Sequence, residues 1–174
     1  MAPLYLLLAC LFVGETEWDA LIWPVGLVFF FLGVAIRVWA QTHLHYRLRV
    51  RKSLTTTGPY MLVRNPIYIA NTTMLLALTV LSELLWLLPV MFVWCVLVYS
   101  FVIRREERHL LEKYGEPYRE FMARVPRWVP RRPRGAGYLG VVRQFLRVSL
   151  LAETHCLLLL LPMIGKECLW DLGK

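Results

Sequence analysis

The chain has 174 residues, of which 58% are hydrophobic and 18% charged, with a formal net charge of +8. Its mean hydropathy of +0.52 excludes an ordinary soluble domain and indicates a helical protein crossing a membrane several times. The charge does not call for nucleic acid, because its distribution is that of loops flanking a bilayer. Six basic and no acidic residues fall between Arg37 and Arg64, and ten basic and five acidic between Arg104 and Arg134, whereas Glu15, Glu17, Asp19 and Glu83 occupy the other connections. The basic loops suit anionic lipid headgroups as partners.

Taken in chain order, Ala2 to Val13 is apolar but short. It suits a short first helix, with an interfacial segment or a signal-peptide core as alternatives. Ala20 to Ala40 is a clear span, with Arg37 snorkelling at its basic end. Gln41 to Thr57 interleaves Leu44, Tyr46 and Leu48 with Arg47, Arg49 and Arg51, the pattern of a helix lying at headgroup level. Pro66 to Leu81 and Leu84 to Ile103 form an apolar hairpin about Ser82-Glu83, with Asn65 as N-cap and Pro66 as first helical residue. Beyond Arg104 the helix continues into water. There Leu110, Tyr114, Tyr118, Phe121 and Val125 form an apolar stripe, Gly115 a C-cap, and Pro117 the start of a second short helix. Trp128 is an interfacial anchor, and Arg131 to Gly137 a loop in which Gly135-Ala136-Gly137 serves as linker. Val148 to Ile164 makes a last apolar helix. The expected fold is all-α: a polytopic helical membrane protein of about five transmembrane helices, with one domain over residues 1–174.

Two segments concentrate polar chemistry. In Gly58-Pro59-Tyr60-Met61-Leu62-Val63-Arg64-Asn65-Pro66-Ile67-Tyr68, a helix N-terminus offers unpaired N–H groups beside a guanidinium, a setting for the carboxylate of an amino-acid-like ligand. The same residues also make sense as a turn, a cap and a positive-inside anchor. In Arg105-Glu106-Glu107, consecutive helical side chains point ~100° apart, so one carboxylate can face a ligand while the other faces water or an arginine. A solvated charged face explains each glutamate equally well on its own. Glu153 and His155 lie inside the last apolar helix, where ionisable groups are costly. Glu153 has Arg143, Arg147 or an arginine of the basic face as candidate partners, and acceptor binding as a candidate role. His43, His45 and His109 are too dispersed for a metal site, and the four cysteines form no CxxC pair.

Taken together, Gly-Pro-Tyr-x-x-Val-Arg-Asn-Pro-x-Tyr, an apolar hairpin, and Arg-Glu-Glu-x-x-Leu-x-x-x-Tyr-Gly-x-x-Tyr-x-x-Phe-x-x-x-Val-Pro-Arg resemble the isoprenylcysteine carboxyl methyltransferase and phospholipid methyltransferase superfamily. The resemblance covers about Arg37 to Pro130. It implies an integral-membrane enzyme that takes S-adenosylmethionine from the cytosol and a lipophilic methyl acceptor from the bilayer. Carried over, Tyr60, Arg64, Asn65, Pro66, Tyr68, Glu106, Glu107 and His109 would bind the cofactor, with Tyr114 as a weaker candidate. Tyr118 is likewise a weaker pocket candidate, and Arg105, Tyr118 and Glu153 are candidates for contacting the acceptor, Glu153 from its place in the last apolar helix rather than from the resemblance. The family usually has histidine where Asn65 stands, and asparagine cannot titrate near neutral pH, so a proton-accepting role there is not expected. Lys113-Tyr114-Gly115 and Val125-Pro126 also echo membrane sterol reductases, which use a nicotinamide phosphate cofactor and are much longer. A third reading is a non-catalytic scaffold of the same fold.

Overall fold

In the computed structural model, residues 19–46, 49, 53–132 and 140–172 are described. The expected first helix at Ala2 to Val13 and the linker Gly135-Ala136-Gly137 lie outside them. The described residues form helices and turns with no strand: α1 (Asp19–Tyr46), α2 (Pro66–Leu81), α3 (Leu88–Tyr114), α4 (Glu116–Arg124), α5 (Leu146–Leu157) and α6 (Leu161–Leu172). Short 3₁₀ turns at Gly58–Met61, Leu85–Leu87, Arg143–Phe145 and Leu158–Leu160 lead into or join them. Three segments are long and apolar enough to cross a membrane: Ala20–Tyr46, Leu85–Tyr114 and Arg143–Lys166; α2 is a shorter apolar helix. Large apolar side chains such as Phe29, Phe31, Trp86, Trp94 and Phe101 are exposed along them, as expected of surfaces facing lipid.

The bounds of α2 are those the Asn65-Pro66 start and the Ser82-Glu83 break predict. Besides the last apolar helix, expected over Val148 to Ile164 but divided by the Leu158–Leu160 turn into α5 and α6 and running on to Leu172, two expectations change. The helix expected to end at Ala40 continues to Tyr46, so Gln41 to Tyr46 is not part of a separate interfacial helix. Its last turns have buried partners that reward continuation. Gln41 reaches Glu153, and His43 is fully buried with its two ring nitrogens against Thr57 Oγ1 and the Gly140 carbonyl. Residues 47–48 and 50–52 of that segment lie outside the described part. The second change is at Asn65. It occupies the N-cap position, but its side chain makes no capping bond and instead reaches toward the Arg127 carbonyl at 3.5 Å.

α1 and α2 pack closely along their length because glycine lets them. A Cβ on Gly33 would come within 2.5 Å of Met74 Cγ and 3.0 Å of the Ala70 carbonyl. Phe30, Met74, Leu78, Leu81, Leu84, Met91 and Met163 fill the core at this end. The hairpin turn is tight, with Glu83 at φ 62°, and Lys166 of α6 pairs with the Glu83 carboxylate at 3.4 Å, both side chains fully buried. At the opposite, basic end, Tyr118, Phe121 and Val125 of the α4 stripe pack on Ala40 and Tyr60. Gly115 (φ 59°) provides the break between α3 and α4. This second core supports the polar end of the bundle and sets the walls of the site.

Candidate functional site

Between the ends of α1, α2 and α3 lies a cavity of about 790 Å³, in the size range of small-molecule sites. Tyr60, Arg64, Asn65, Pro66, Tyr68, Arg105, Glu106 and His109 line it, brought together from both polar segments. Leu44, Ile67, Val102 and Leu110 supply apolar wall, and Asn71 a polar one. The local reason for the first segment is Gly58. Its φ is +63°, and a Cβ there would fall 2.4 Å from the buried His43 ring. That turn directs Tyr60 into the second core, at 9% exposure, and brings Arg64 and Asn65 to the head of α2. The first turn of α2, whose N–H groups the Asn65 side chain does not cap, then opens on the cavity.

The two adjacent glutamates separate as helix geometry requires. Glu106 is on the cavity side and accepts a 2.7 Å hydrogen bond from the Tyr68 hydroxyl. Glu107 is buried on the other side of α3, where its Oε1 lies 3.0 Å from Arg64 Nη1 and its Oε2 2.5 Å from Arg127 Nη2. Thus Glu107 does not line the cavity; it sits behind Arg64 and fixes it. Arg64, expected as a guanidinium suited to a ligand carboxylate, has an internal counter-ion. Its Nε, however, is buried with no hydrogen-bond partner. The Arg64 N–H donates to the Pro126 carbonyl at 2.9 Å, tying this segment to the Val-Pro-Arg stretch after α4.

Tyr118 is buried beneath the site and does not line the cavity, and Tyr114 packs beside it. Burial and the nearby Glu107 carboxylate raise the Tyr118 phenol to about 12. Burial, with Glu106 and Tyr68 nearby, also pushes the Tyr60 phenol well above its usual range. Both therefore remain protonated near neutral pH and act as donors, not bases. A raised folded-state value gives stability that is complete below the ordinary value of 10.0 and is lost as pH rises to about 12. Tyr118→Phe is expected to flatten the fall of Tm across that alkaline window, and an unchanged slope would contradict it.

Glu153 lies apart from the cavity lining. Its partner is Arg37, with Nε 2.9 Å from Oε1, rather than Arg143 or Arg147. Sequence reasoning missed Arg37 and Asn71 as polar participants, and gave Arg127 no role although it stands in the Val-Pro-Arg motif. The signal for Asn71 was a lone amide in an apolar helix, one turn beyond Ile67.

The phospholipid methyltransferase family model matches residues 22–117, more than half of the chain and nearly all of the cavity-forming helices. The chain belongs to that family. The superfamily resemblance drawn from the two motifs is thereby borne out. The chain is 34% identical over 129 residues to the cobalt-zinc-cadmium resistance protein CzcN of Cupriavidus metallidurans, covering 71% of this chain and 58% of that protein. It is 29% identical over 129 residues to the nickel-cobalt-cadmium resistance protein NccN of Alcaligenes xylosoxydans xylosoxydans, with 71% and 59% coverage. The chain thus spans about three-fifths of the length of these curated relatives. No solved structure matches it. Family membership and three apolar helices of spanning length make this a membrane protein of a methyltransferase family.

Proposed function

We propose that the chain is an S-adenosylmethionine-dependent methyltransferase acting on a lipophilic acceptor, with its cofactor face toward the cytosol. The observation that carries this reading is the convergence of Tyr60, Arg64, Asn65, Tyr68, Glu106 and His109 on one cavity at the basic end of the bundle. The residues suit the cofactor chemically. The buried, unpartnered Arg64 Nε and the uncapped first turn of α2 would hold its carboxylate. Glu106 would accept from its amino group or ribose hydroxyls, with Tyr68 holding the glutamate in place. S-adenosylmethionine, when bound, supplies a sulfonium-activated methyl group. The protein's own task is alignment and exclusion of water, and Leu44, Ile67 and Val102 provide the apolar wall for it. Glu107 and Arg127 act from behind, fixing the Arg64 guanidinium.

Family membership favours this reading over a nicotinamide-dependent reductase. Two relatives carry metal-resistance names. Among the described residues no group of three or more His, Cys, Asp or Glu side chains is placed to hold a metal ion.

The test is transfer of label from S-adenosylmethionine carrying a tritiated methyl group into the organic-extractable fraction of membranes expressing the chain. Label above that of membranes expressing Glu106→Ala is the expected result. Equal label in the two preparations would overturn the reading.

A further inference from the structure

A polar network inside the apolar bundle reaches the cavity at Asn71. Arg37 Nη1 of α1 donates to Asn71 Oδ1 of α2 at 2.9 Å, while Arg37 Nε pairs with Glu153 of α5. Gln41 Nε2 donates to the same Glu153 oxygen, and Cys156 Sγ to the other at 3.0 Å. Glu153 is 3% exposed, so an ion pair is kept in the apolar bundle at the cost of desolvation. Of these residues, Asn71 is the one that lines the cavity.

An arginine has only donors, so Arg37 fixes the amide with its oxygen turned to α1. The Asn71 nitrogen, with two hydrogens, is the group the amide can offer to a ligand in the cavity. Asn71 lies six residues beyond Asn65, roughly 9 Å further along α2 toward the bilayer at 1.5 Å per residue. The end of the cavity at Arg64 and Glu106 suits a soluble cofactor, and the Asn71 end faces what comes from the membrane.

We propose that Asn71 is a specificity-determining residue for the polar head of the membrane-borne acceptor, and that the Arg37–Glu153 pair positions it. The site favours a hydrogen-bond-accepting, oxygen-bearing headgroup over an ammonium, because it offers an N–H with a guanidinium behind it. This inference rests on the methyltransferase reading.

The test uses the full chain in detergent with saturating S-adenosylhomocysteine and two fluorescent lipophilic probes, a dansylamino-undecanoate and the matching dansyl-undecylamine. The carboxylate probe is expected to bind at least about tenfold more tightly than the amine, the scale of one hydrogen bond to a charged group. Asn71→Ala should abolish that preference and Asn71→Asp reverse it. Arg37→Met and Glu153→Gln should each weaken it, with no further loss when either is combined with Asn71→Ala. Affinity for S-adenosylhomocysteine should stay within about twofold throughout, on the scale of an ordinary neutral substitution. A merely structural amide would leave probe preference intact, or lower cofactor and probe affinity together; either outcome overturns the proposal. Absence of saturable probe binding to protein that binds S-adenosylhomocysteine also overturns it, leaving the methyltransferase reading in place. Failure of the wild-type chain to bind S-adenosylhomocysteine removes the methyltransferase reading itself.

Discussion

Glu107→Ala is expected to be the most destabilising single substitution at the site. It removes the counter-charge of Arg64, 13% exposed, and of Arg127, 31% exposed, and leaves both guanidinia facing each other across the gap. Breaking a buried ion pair from one side costs about 3–5 kcal/mol, because the remaining charge keeps its desolvation penalty. Arg127→Ala should cost less, since its side chain is the more exposed and Glu107 retains Arg64. Thermal unfolding in detergent checks the order. A Glu107→Ala protein that melts with the wild type would show that the Arg64–Glu107–Arg127 triad does not hold this end together.

Its neighbour should behave in the opposite way. Glu106 is exposed on the cavity side, and its partner in the protein is the Tyr68 hydroxyl. Glu106→Ala should therefore leave the melting temperature close to that of the wild type, as surface substitutions usually do. It should, however, remove one or two hydrogen bonds to a charged acceptor in the bound state. At about 1.5–3 kcal/mol each, such bonds correspond to a loss of roughly tenfold to more than a hundredfold in cofactor affinity. Equilibrium binding of labelled S-adenosylmethionine measures it. Unchanged affinity in a folded Glu106→Ala protein would take this carboxylate out of the site. Two adjacent glutamates with opposite phenotypes, one in stability and one in binding, form a pattern that a uniformly solvated charged helix does not produce.

That division shows where sequence stops being informative. Helical geometry alone states that Glu106 and Glu107 diverge, since successive residues are rotated by ~100°. It does not state which of them faces the cavity, because that depends on how α3 is rotated against α2 and on the position of Arg127, twenty residues away. The start and end of α2 were legible because Pro66 and the Ser82-Glu83 turn are local signals. The continuation of α1 to Tyr46 was not, because its reward comes from Glu153 and Gly140, roughly a hundred residues on. Arg37 looked like a snorkelling end residue for the same reason: its partners Asn71 and Glu153 lie on two other helices. Asn65 reads as a cap from residue type, and position was right while the side-chain role was not: its oxygen accepts no capping bond, and its Nδ2 reaches toward the Arg127 carbonyl, 62 residues on. The cavity-lining set itself was largely readable, since both contributing segments carry dense local motifs.

The most direct measurement is calorimetric titration of the folded, lipid-supplied full chain with S-adenosylmethionine, and separately with a reduced nicotinamide phosphate cofactor. Saturable micromolar binding of the first and none of the second is the predicted result. Binding of the nicotinamide, or no binding of S-adenosylmethionine by protein that still melts cooperatively, would contradict the account.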